Sequence, residues 1–408
     1  MKSESEEDVG VDKVPRRAKE VDEDVKQNRN EGDPEKDSEQ QKSSEERKRK
    51  PRRSHSAKRS TLIPGSIIST ANDRYTILSL IGSGGFGDVY RVKRVKKIKG
   101  QTNTYALKTE TIDFDNKNLN RLKIEMTVLQ LCNKQQPERR QHFVSMVDKG
   151  RTEEFKFIIM DLVGTSIDII QREMPNHSFS FGTSAKLGLQ TIDAIADLHE
   201  IGYLHRDIKP QNFSVGVKDK ASTIYLLDFG IARKFTIKDT KAVRLPRESV
   251  RFMGTVRYAS RHCHLSKEQS RRDDLESWMY MLLEFFDYKA LPWAKSINRT
   301  HVCDEKVKLF SGDFPKSVAV LPQKIHKIIS YIDSLEYSNE PDYDFIKTMI
   351  RQSARKQNAD INAKYDWQPD TPNDTKVKKS SKKERKSKRN SAELEDKEIN
   401  KLCELAFS

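Results

Sequence analysis

The run Leu204-His205-Arg206-Asp207-Ile208-Lys209-Pro210-Gln211-Asn212 sets a carboxylate, an ammonium and an amide at short fixed intervals. A second carboxylate comes in Leu227-Asp228-Phe229-Gly230, sixteen residues after Asn212. These residue types suit one chemistry. Carboxylate and amide oxygens are hard ligands of the kind Mg²⁺ takes, a carboxylate can accept a proton from a hydroxyl, and a lysine can offset the charge of a phosphoryl group in transit. Upstream, Ile81-Gly82-Ser83-Gly84-Gly85-Phe86-Gly87-Asp88-Val89 can bring backbone N–H groups close to phosphates, because no Cβ stands in the way. The chain continues as strand-like Val89-Tyr90-Arg91-Val92, where a dinucleotide fingerprint would continue as a helix, so the glycines read as a hairpin. A purely structural hairpin would use the same letters. Lys108 in Tyr105-Ala106-Leu107-Lys108 could reach phosphates, and Glu125 could hold its flexible stem. An ordinary solvated glutamate is the competing explanation for Glu125. A generic Asx-turn loop with scattered acids does not account for all of these in this order.

Such a set needs a frame. Strand patterns cover 75–81, 89–95, 104–109, 142–149 and 155–160, with a polar loop at 96–103. Between the third and fourth, 116–131 reads as a helix, Leu119, Leu122, Met126 and Leu129 recurring at steps of three or four. After Gly164 the pattern turns helical, notably over 184–199 and 274–286, and Pro341 opens a last helix at 343–351. The sequence therefore predicts a small lobe of five strands and one helix followed by a larger helical lobe, together too long for one simple core. The flanks differ. Residues 1–60 hold 17 basic and 16 acidic side chains sorted by sign, with 8 basic and no acidic residue over 47–59, and 376–389 holds 9 basic residues in 14. Blocks of like charge with so few apolar residues are expected to stay disordered, which assigns 1–70 and 370–408 to charged tails, the second with a weak apolar stripe at Leu394, Leu402 and Leu405.

Only 35% of the 408 residues are apolar and 34% are charged, for a net charge of +15. The richest apolar run, 278–286, contains Glu284 and falls far short of a membrane span. The start has no secretory h-region, and the four cysteines show neither CxxC spacing nor disulfide density, so the expected setting is a reducing compartment. Collagen, coiled coils, disulfide scaffolds and secreted modules are excluded.

In the order and spacing of these motifs, residues 74–367 resemble the eukaryotic protein kinases. Lys209, together with Thr255 in Gly254-Thr255-Val256-Arg257-Tyr258, looks like the serine/threonine branch. Glu268-Gln269-Ser270-Arg271-Arg272-Asp273-Asp274-Leu275-Glu276-Ser277, Leu291-Pro292-Trp293 and Tyr258-Ala259-Ser260 resemble the casein kinase 1 group. Within it, the run from Gly254 to Ser260, the Leu162-Val163-Gly164 after Met160, Pro341-Asp342-Tyr343 and Tyr365-Asp366-Trp367 are most similar to the tau-tubulin kinases, although Arg271-Arg272 and Glu276 look like casein kinase 1 proper. The resemblance implies an α+β, two-lobed protein kinase fold with an N-lobe at 74–160, a hinge at 161–164 and a C-lobe at 165–367. It implies ATP and Mg²⁺ as cofactors, Asp207 as catalytic base, Lys209 beside it, and Asn212 and Asp228 as metal ligands. ATP would be held by Ile81, Gly82, Ser83, Gly84, Gly85, Phe86, Gly87, Asp88, Val89, Ala106, Lys108, Glu125, Met160, Asp161 and Leu162. The usual buried ion pair of an Ala-Pro-Glu glutamate is absent, because Ser260 stands there.

Charge bears on partners. The tails contribute +1 over 1–60 and +3 over 370–408, which leaves +11 for the folded part. Arg244, Arg247, Arg251 and Arg257 suit acidic or already phosphorylated protein substrates, cytoskeletal ones among them, unless they coat the surface or brace the Asp207 loop. The segment 231–253 offers Thr236, Thr240 and Ser249 for modification and is read as having no acidic substitute, which leaves constitutive activity and a switch both open. His262-Cys263-His264, read as an extended loop, is a poor metal site. The basic runs are candidate nuclear-import signals, nucleic-acid contacts or anionic-surface tethers, and they lack the interleaved aromatics of single-strand binders. The expectation is a monomeric, cytoplasmic or nuclear enzyme. A pseudokinase scaffold and a microtubule or nucleic-acid binder acting through its tails are the alternatives.

Overall fold

In the computed structural model, residues 61–84, 87–96, 103–112, 120–237 and 240–368 are described, all within one of the chain's two units, Lys58–Ser408. Gly85, Phe86, residues 1–60 and 369–408, and both basic runs lie outside them.

The first lobe is built on a single antiparallel sheet. Its strands are β1 (Ile67–Ser69), β2 (Arg74–Gly84), β3 (Gly87–Arg94) and β4 (Thr104–Thr111), then, after helices α1 (Arg121–Asn133) and α2 (Pro137–Arg140), β5 (Met146–Arg151) and β6 (Phe155–Asp161). The spatial order is β1-β2-β3-β4-β6-β5, and every neighbouring pair is antiparallel. Alternation along β2 and β3 buries Tyr75, Ile77, Tyr90 and Val92 in one cluster with Tyr105, Leu107, Phe157 and Ile159.

Two expectations change here. The N-terminal tail is shorter than 1–70, because β1 pairs with β2 and Ile68 is buried against the sheet. The fourth strand begins at Met146, not at His142. Phe143 and Val144 turn instead into the core shared with the second lobe, where the His142 carbonyl accepts from Leu226 N at 2.9 Å.

The second lobe is helical. Its elements begin with α3 (Ile167–Glu173), α4 (Phe181–Glu200), β7 (Tyr203–Leu204), β8 (Phe213–Val215), β9 (Ile224–Leu226) and β10 (Arg233–Lys234). They continue with α5 (Arg261–His264), α6 (Arg271–Phe286), α7 (Arg299–Phe310), α8 (Lys316–Ala319), α9 (Gln323–Ser334) and α10 (Tyr343–Lys356). Ser180 starts α4 by accepting from Thr183 N, and Asp342 starts α10 by accepting from Phe345 N at 2.8 Å. After α10, Tyr365 stacks on Trp367 and Asp366 accepts from the backbone and hydroxyl of Ser180, closing the domain onto the start of α4.

Helix α6 organises this lobe. Trp278 to Leu283 are all buried, as befits a helix apolar on every side, yet four buried acids interrupt it. Each has partners: Asp273 takes Ser260 and Ser270 N, Asp274 takes His199 and the Asp207 loop, Glu276 takes Arg261 and Tyr280, and Glu284 takes Arg257 and Tyr258. Buried carboxylates persist only when satisfied in this way. Among the described residues no helix is long and apolar enough to cross a membrane.

Candidate active site

Lys108 lies on β4, an interior strand of the sheet, opposite Val89 of β3, two residues after Gly87. Its Nζ donates to Glu125 Oε2 at 2.6 Å and to Asp228 Oδ1 at 3.0 Å. Glu125 is therefore no surface glutamate; it is 3% exposed, on the inner face of α1. What holds α1 there is visible one step away. Glu110, two residues beyond Lys108 on the same strand, accepts from Arg121 N and Leu122 N at the start of α1, satisfying donors that a helix N-terminus leaves open.

The loop after β7 carries Asp207, Lys209 and Asn212. Asp274 on α6 accepts from His205 N at 2.7 Å and Arg206 N at 2.8 Å, and His205 Nε2 lies 3.0 Å from Leu227 O. Each backbone N–H left unpaired in such a buried place would cost about 1–3 kcal/mol. Arg206 and Asp228 sit at φ 67° and 64°, a left-handed conformation that non-glycine residues adopt only when their surroundings impose it. Asn212 Nδ2 donates to Asp207 O at 2.8 Å. Lys209 Nζ donates to Asp207 Oδ2 at 2.6 Å and to Thr255 Oγ1 at 2.9 Å, and Thr255 Oγ1 in turn donates to Asp207 Oδ1 at 2.8 Å. The structure thus brings together Lys108, Glu125 and Asp228 on one side and Asp207, Lys209, Asn212 and Thr255 on the other.

The charges fit a phosphate site. Burial alone would lower the Lys108 ammonium, but the Glu125 and Asp228 carboxylates outweigh it and raise its pKa above the ordinary value. Burial would raise Asp228, but Lys108 outweighs that and holds it down to about 2. Both groups are charged at neutral pH. Among the described residues no three His, Cys, Asp or Glu side chains form a metal cage. That suits Mg²⁺, which keeps waters and substrate phosphates in its shell and takes only one or two protein carboxylates. Asp228, its side chain 52% exposed, and Asn212, whose Oδ1 accepts no hydrogen bond among the described residues, form a donor set of that kind.

The glycines separate by function. A Cβ on Gly87 would lie 1.9 Å from Thr109 O, so the sheet itself requires glycine there. A Cβ on Gly82 or Gly84 would meet nothing nearer than 3.8 Å. Among the described residues nothing in the packing demands glycine at those two positions, and close approach of a ligand is a physical reason for it. Ser83 and Asp88 face each other, Ser83 Oγ donating to Asp88 Oδ1 at 2.7 Å, while Asp88 Oδ2 accepts from buried Tyr90. Asp88 is itself buried, so its carboxylate shapes the hairpin and does not line the cleft. Met160 pairs with Ala106 across β6 and β4, and both are buried; Val89 and Leu162 pack on the same core, while Ile81 is exposed. Asp161 exchanges hydrogen bonds with Ser145, through its backbone N to Ser145 O and its Oδ2 from Ser145 N. A cavity of about 380 Å³ that includes Glu200, Lys234 and Lys241 in its lining contains none of these residues.

The four candidate substrate arginines do not act alike. Arg257 is bound to Glu284, and Arg247 to Glu268, so their charges are compensated within the fold. Arg244 Nε donates to Thr236 O and Arg251 is exposed, leaving these two without a carboxylate partner among the described residues. The expectation that 231–253 has no acidic substitute overlooks Asp239 and Glu248 within it, and Glu268 supplies a further carboxylate from outside, paired with Arg247. Its carboxylate, 3% exposed, also pairs with Arg233 at 3.2 Å, next to an Arg206 guanidinium that burial and Arg233 lower to about 10. His262 to His264 form the short helix α5, not an extended loop; His262 meets Arg272 and Asp273, and His264 meets Lys306. Sequence reasoning passed over Glu110, Asp274 and Glu268 as site residues. Glu110 lies on β4, Asp274 follows Asp273 on α6 and Glu268 sits in the loop before α6, and only the fold gives each its partner.

The sequence matches the family described as Protein kinase domain over residues 75–359. It is 33% identical over 309 residues to a Dictyostelium discoideum protein named as a probable serine/threonine-protein kinase, a match that spans 75% of this chain but only 58% of that one. A serine/threonine-protein kinase of Caenorhabditis elegans is 32% identical over 306 residues, covering 73% of this chain and 76% of the relative. A third relative, named an inactive tau-tubulin kinase of the same organism, is 32% identical over 232 residues, covering 55% and 79%.

Proposed function

The chain belongs to the protein kinase family, with the fold of an ATP-dependent serine/threonine kinase, and from that premise we propose that it is catalytically active on protein hydroxyls. One observation carries the reading: Asp207, Lys209 and Thr255 form a closed hydrogen-bonded set beside Asn212, while Lys108 joins Glu125 to Asp228.

In this reading Asp207 orients the substrate hydroxyl and accepts its proton. Lys209 holds that carboxylate and offsets negative charge on the group being transferred. Lys108, fixed by Glu125, binds nucleotide phosphate, and the backbone of Gly82 and Gly84 closes over it. Mg²⁺, when bound, supplies neutralisation of phosphate charge, and Asn212 and Asp228 are the residues that would hold it. Met160, Ala106 and Leu162 form the apolar wall for the base.

The finer placement is a casein kinase 1-like enzyme on the tau-tubulin kinase side. The sequence from Glu268 to Ser277 supports it, as does Ser260, whose Oγ donates to Asp273 at 2.6 Å where a glutamate ion pair would otherwise stand. A preference for acidic or phosphorylated substrates rests now on Arg244 and Arg251 alone. The competing pseudokinase reading draws on the inactive relative, but this chain keeps Lys108, Asp207, Asn212 and Asp228, with Lys108 bonded to Asp228 and Asn212 to Asp207.

The test is transfer of radiolabelled phosphate from ATP and Mg²⁺ to an acidic protein such as casein, with Asp207→Asn as control. Transfer by the wild type that the variant lacks is the expected result; equal transfer by both would overturn the assignment of Asp207, and none by either would favour the scaffold. A peptide library with and without phosphorylated residues tests the preference, which indifference to acidic flanks would sink.

A further inference from the structure

The stretch from Gly254 to Ser260 carries Thr255 to Asp207, yet it lies in neither strand nor helix, so its carbonyls have no regular ladder to bond. Side chains take them up instead. Trp293 Nε1 donates to Arg257 O at 2.9 Å, and Lys306 Nζ on α7 donates to Val256 O at 3.0 Å and Ala259 O at 2.6 Å. The third neighbour of that ammonium is His264 Nε2, at 3.1 Å. Lys306 is 0% exposed and forms no ion pair among the described residues, with the rings of Tyr280 and Trp293 centred 4.8 and 5.7 Å from Nζ. A buried ammonium without a carboxylate is costly, and a methionine or leucine would fill the same space more cheaply.

We propose that Lys306 is a positioning residue for peptide phosphorylation: its ammonium pins the backbone of Val256 and Ala259 and thereby fixes the segment that presents Thr255 to Asp207. The proposal rests on the kinase reading for its consequence, though not for its geometry.

An ammonium has three N–H donors, and Lys306 meets three acceptors, whereas a neutral amine leaves one of them unserved. Burial lowers Lys306 to about 7, against the opposing pull of Glu276, Cys263 and Cys303. The other groups facing it are Tyr280 and His264, whose imidazole burial, Lys306 and the neighbouring Arg299 lower to about 4, so that it stays a neutral acceptor. As pH rises through about 7, the anchor loses one of its bonds. Stability moves the other way. The folded value lies below the ordinary 10.5, so the unfolded chain binds more protons between the two and this group makes the fold more stable as pH rises there. A loss of peptide affinity on the alkaline side would therefore not be incipient unfolding.

The experiment compares the full chain with Lys306→Met, measuring peptide KM and nucleotide affinity across neutral pH, and hydrogen exchange at Tyr258 and Ala259, whose amides both donate to Thr255 O. Expected for the variant are a peptide KM raised roughly tenfold, nucleotide affinity within about twofold of wild type, and faster exchange at those amides. The wild-type KM should rise severalfold through neutral pH, and the variant's should not. Unchanged exchange and KM in the variant, or a parallel loss of nucleotide affinity, would overturn the proposal. Should Lys306→Met fail to fold, the wild type decides by itself: exchange at Tyr258 and Ala259 that rises no faster with pH than intrinsic chemistry dictates counts against the anchor. Absence of phosphate transfer by the wild type would overturn the kinase reading instead, leaving the exchange result to judge the anchor.

Discussion

Thr255 Oγ1 donates to Asp207 Oδ1 at 2.8 Å while accepting from Lys209 Nζ at 2.9 Å, so a single hydroxyl 48 residues beyond Asp207 joins its carboxylate to the neighbouring ammonium. Because Lys209 also reaches Asp207 Oδ2, both carboxylate oxygens are engaged, and the side chain is held in one orientation before any substrate arrives. Preorganisation of this kind removes reorganisation from the chemical step.

Replacing Asp207 by Asn keeps the shape and removes the proton acceptor. General-base contributions run to roughly 10²–10⁴-fold, so kcat should fall by that order while nucleotide affinity, set by Lys108, stays within about twofold. Steady-state kinetics with equilibrium nucleotide binding on the same preparation measures both. A fall in affinity equal to the fall in kcat would remove Asp207 from the chemistry.

Thr255→Val removes one hydroxyl from the triangle and leaves Lys209 on Asp207. The expected loss in kcat is about tenfold, less than for Asp207→Asn, and Thr255→Ser should restore most of it because only the Oγ is used. If the serine variant is as poor as valine, the methyl group and its packing matter more than the hydrogen bonds.

Much of this was legible in the sequence because local spacing carries it. Asp207, Lys209 and Asn212 lie within one short loop, and their order before Asp228 is itself the signal. The helices were equally legible where a cap and an apolar period coincide, as for α4 and α10. What was not legible depends on contacts between distant segments. His142 belongs by alternation to a strand, yet its ring bonds Ile224 O in the other lobe at 2.7 Å and its neighbours fill a shared core. Arg247 and Arg257 looked available to substrates because their acids, Glu268 and Glu284, stand 21 and 27 residues further on. Lys306 carries no motif at all; its importance comes only from the carbonyls it meets.

Lys108→Met should raise the nucleotide dissociation constant by about tenfold or more, since an ammonium bonded to two carboxylates is replaced by an apolar stem. It should also change acid stability. With Lys108 present, Asp228 is held at about 2, below its ordinary 3.8, so its contribution is complete above pH 4 or so and is lost as pH falls through the folded value. Without Lys108 the folded value rises, and the acid unfolding midpoint should move to higher pH. Acid titration followed by circular dichroism reads that shift, and coincident curves for the two proteins would mean that Lys108 does not set the charge of Asp228.

Glu268 gives the last prediction. Its carboxylate pairs with Arg233 and Arg247 beside Arg206, three guanidinium groups that adjoin the catalytic loop and the segment after Asp228. Arg206 Nε donates to Ile231 O at 2.8 Å, so the position of that segment depends on these arginines being neutralised. Glu268 supplies negative charge to these arginines, and on the proposed function phosphorylation of the segment should then be unnecessary for activity. Thr240→Ala and Ser249→Ala should leave kcat/KM within about twofold of wild type, whereas Glu268→Gln, which leaves the arginines without a counter-charge, should lower it about tenfold or more. The protein should be assayed after phosphatase treatment. Loss of activity on dephosphorylation, with Glu268→Gln behaving like wild type, would show that the arginines wait for a phosphate and that Glu268 only occupies their place.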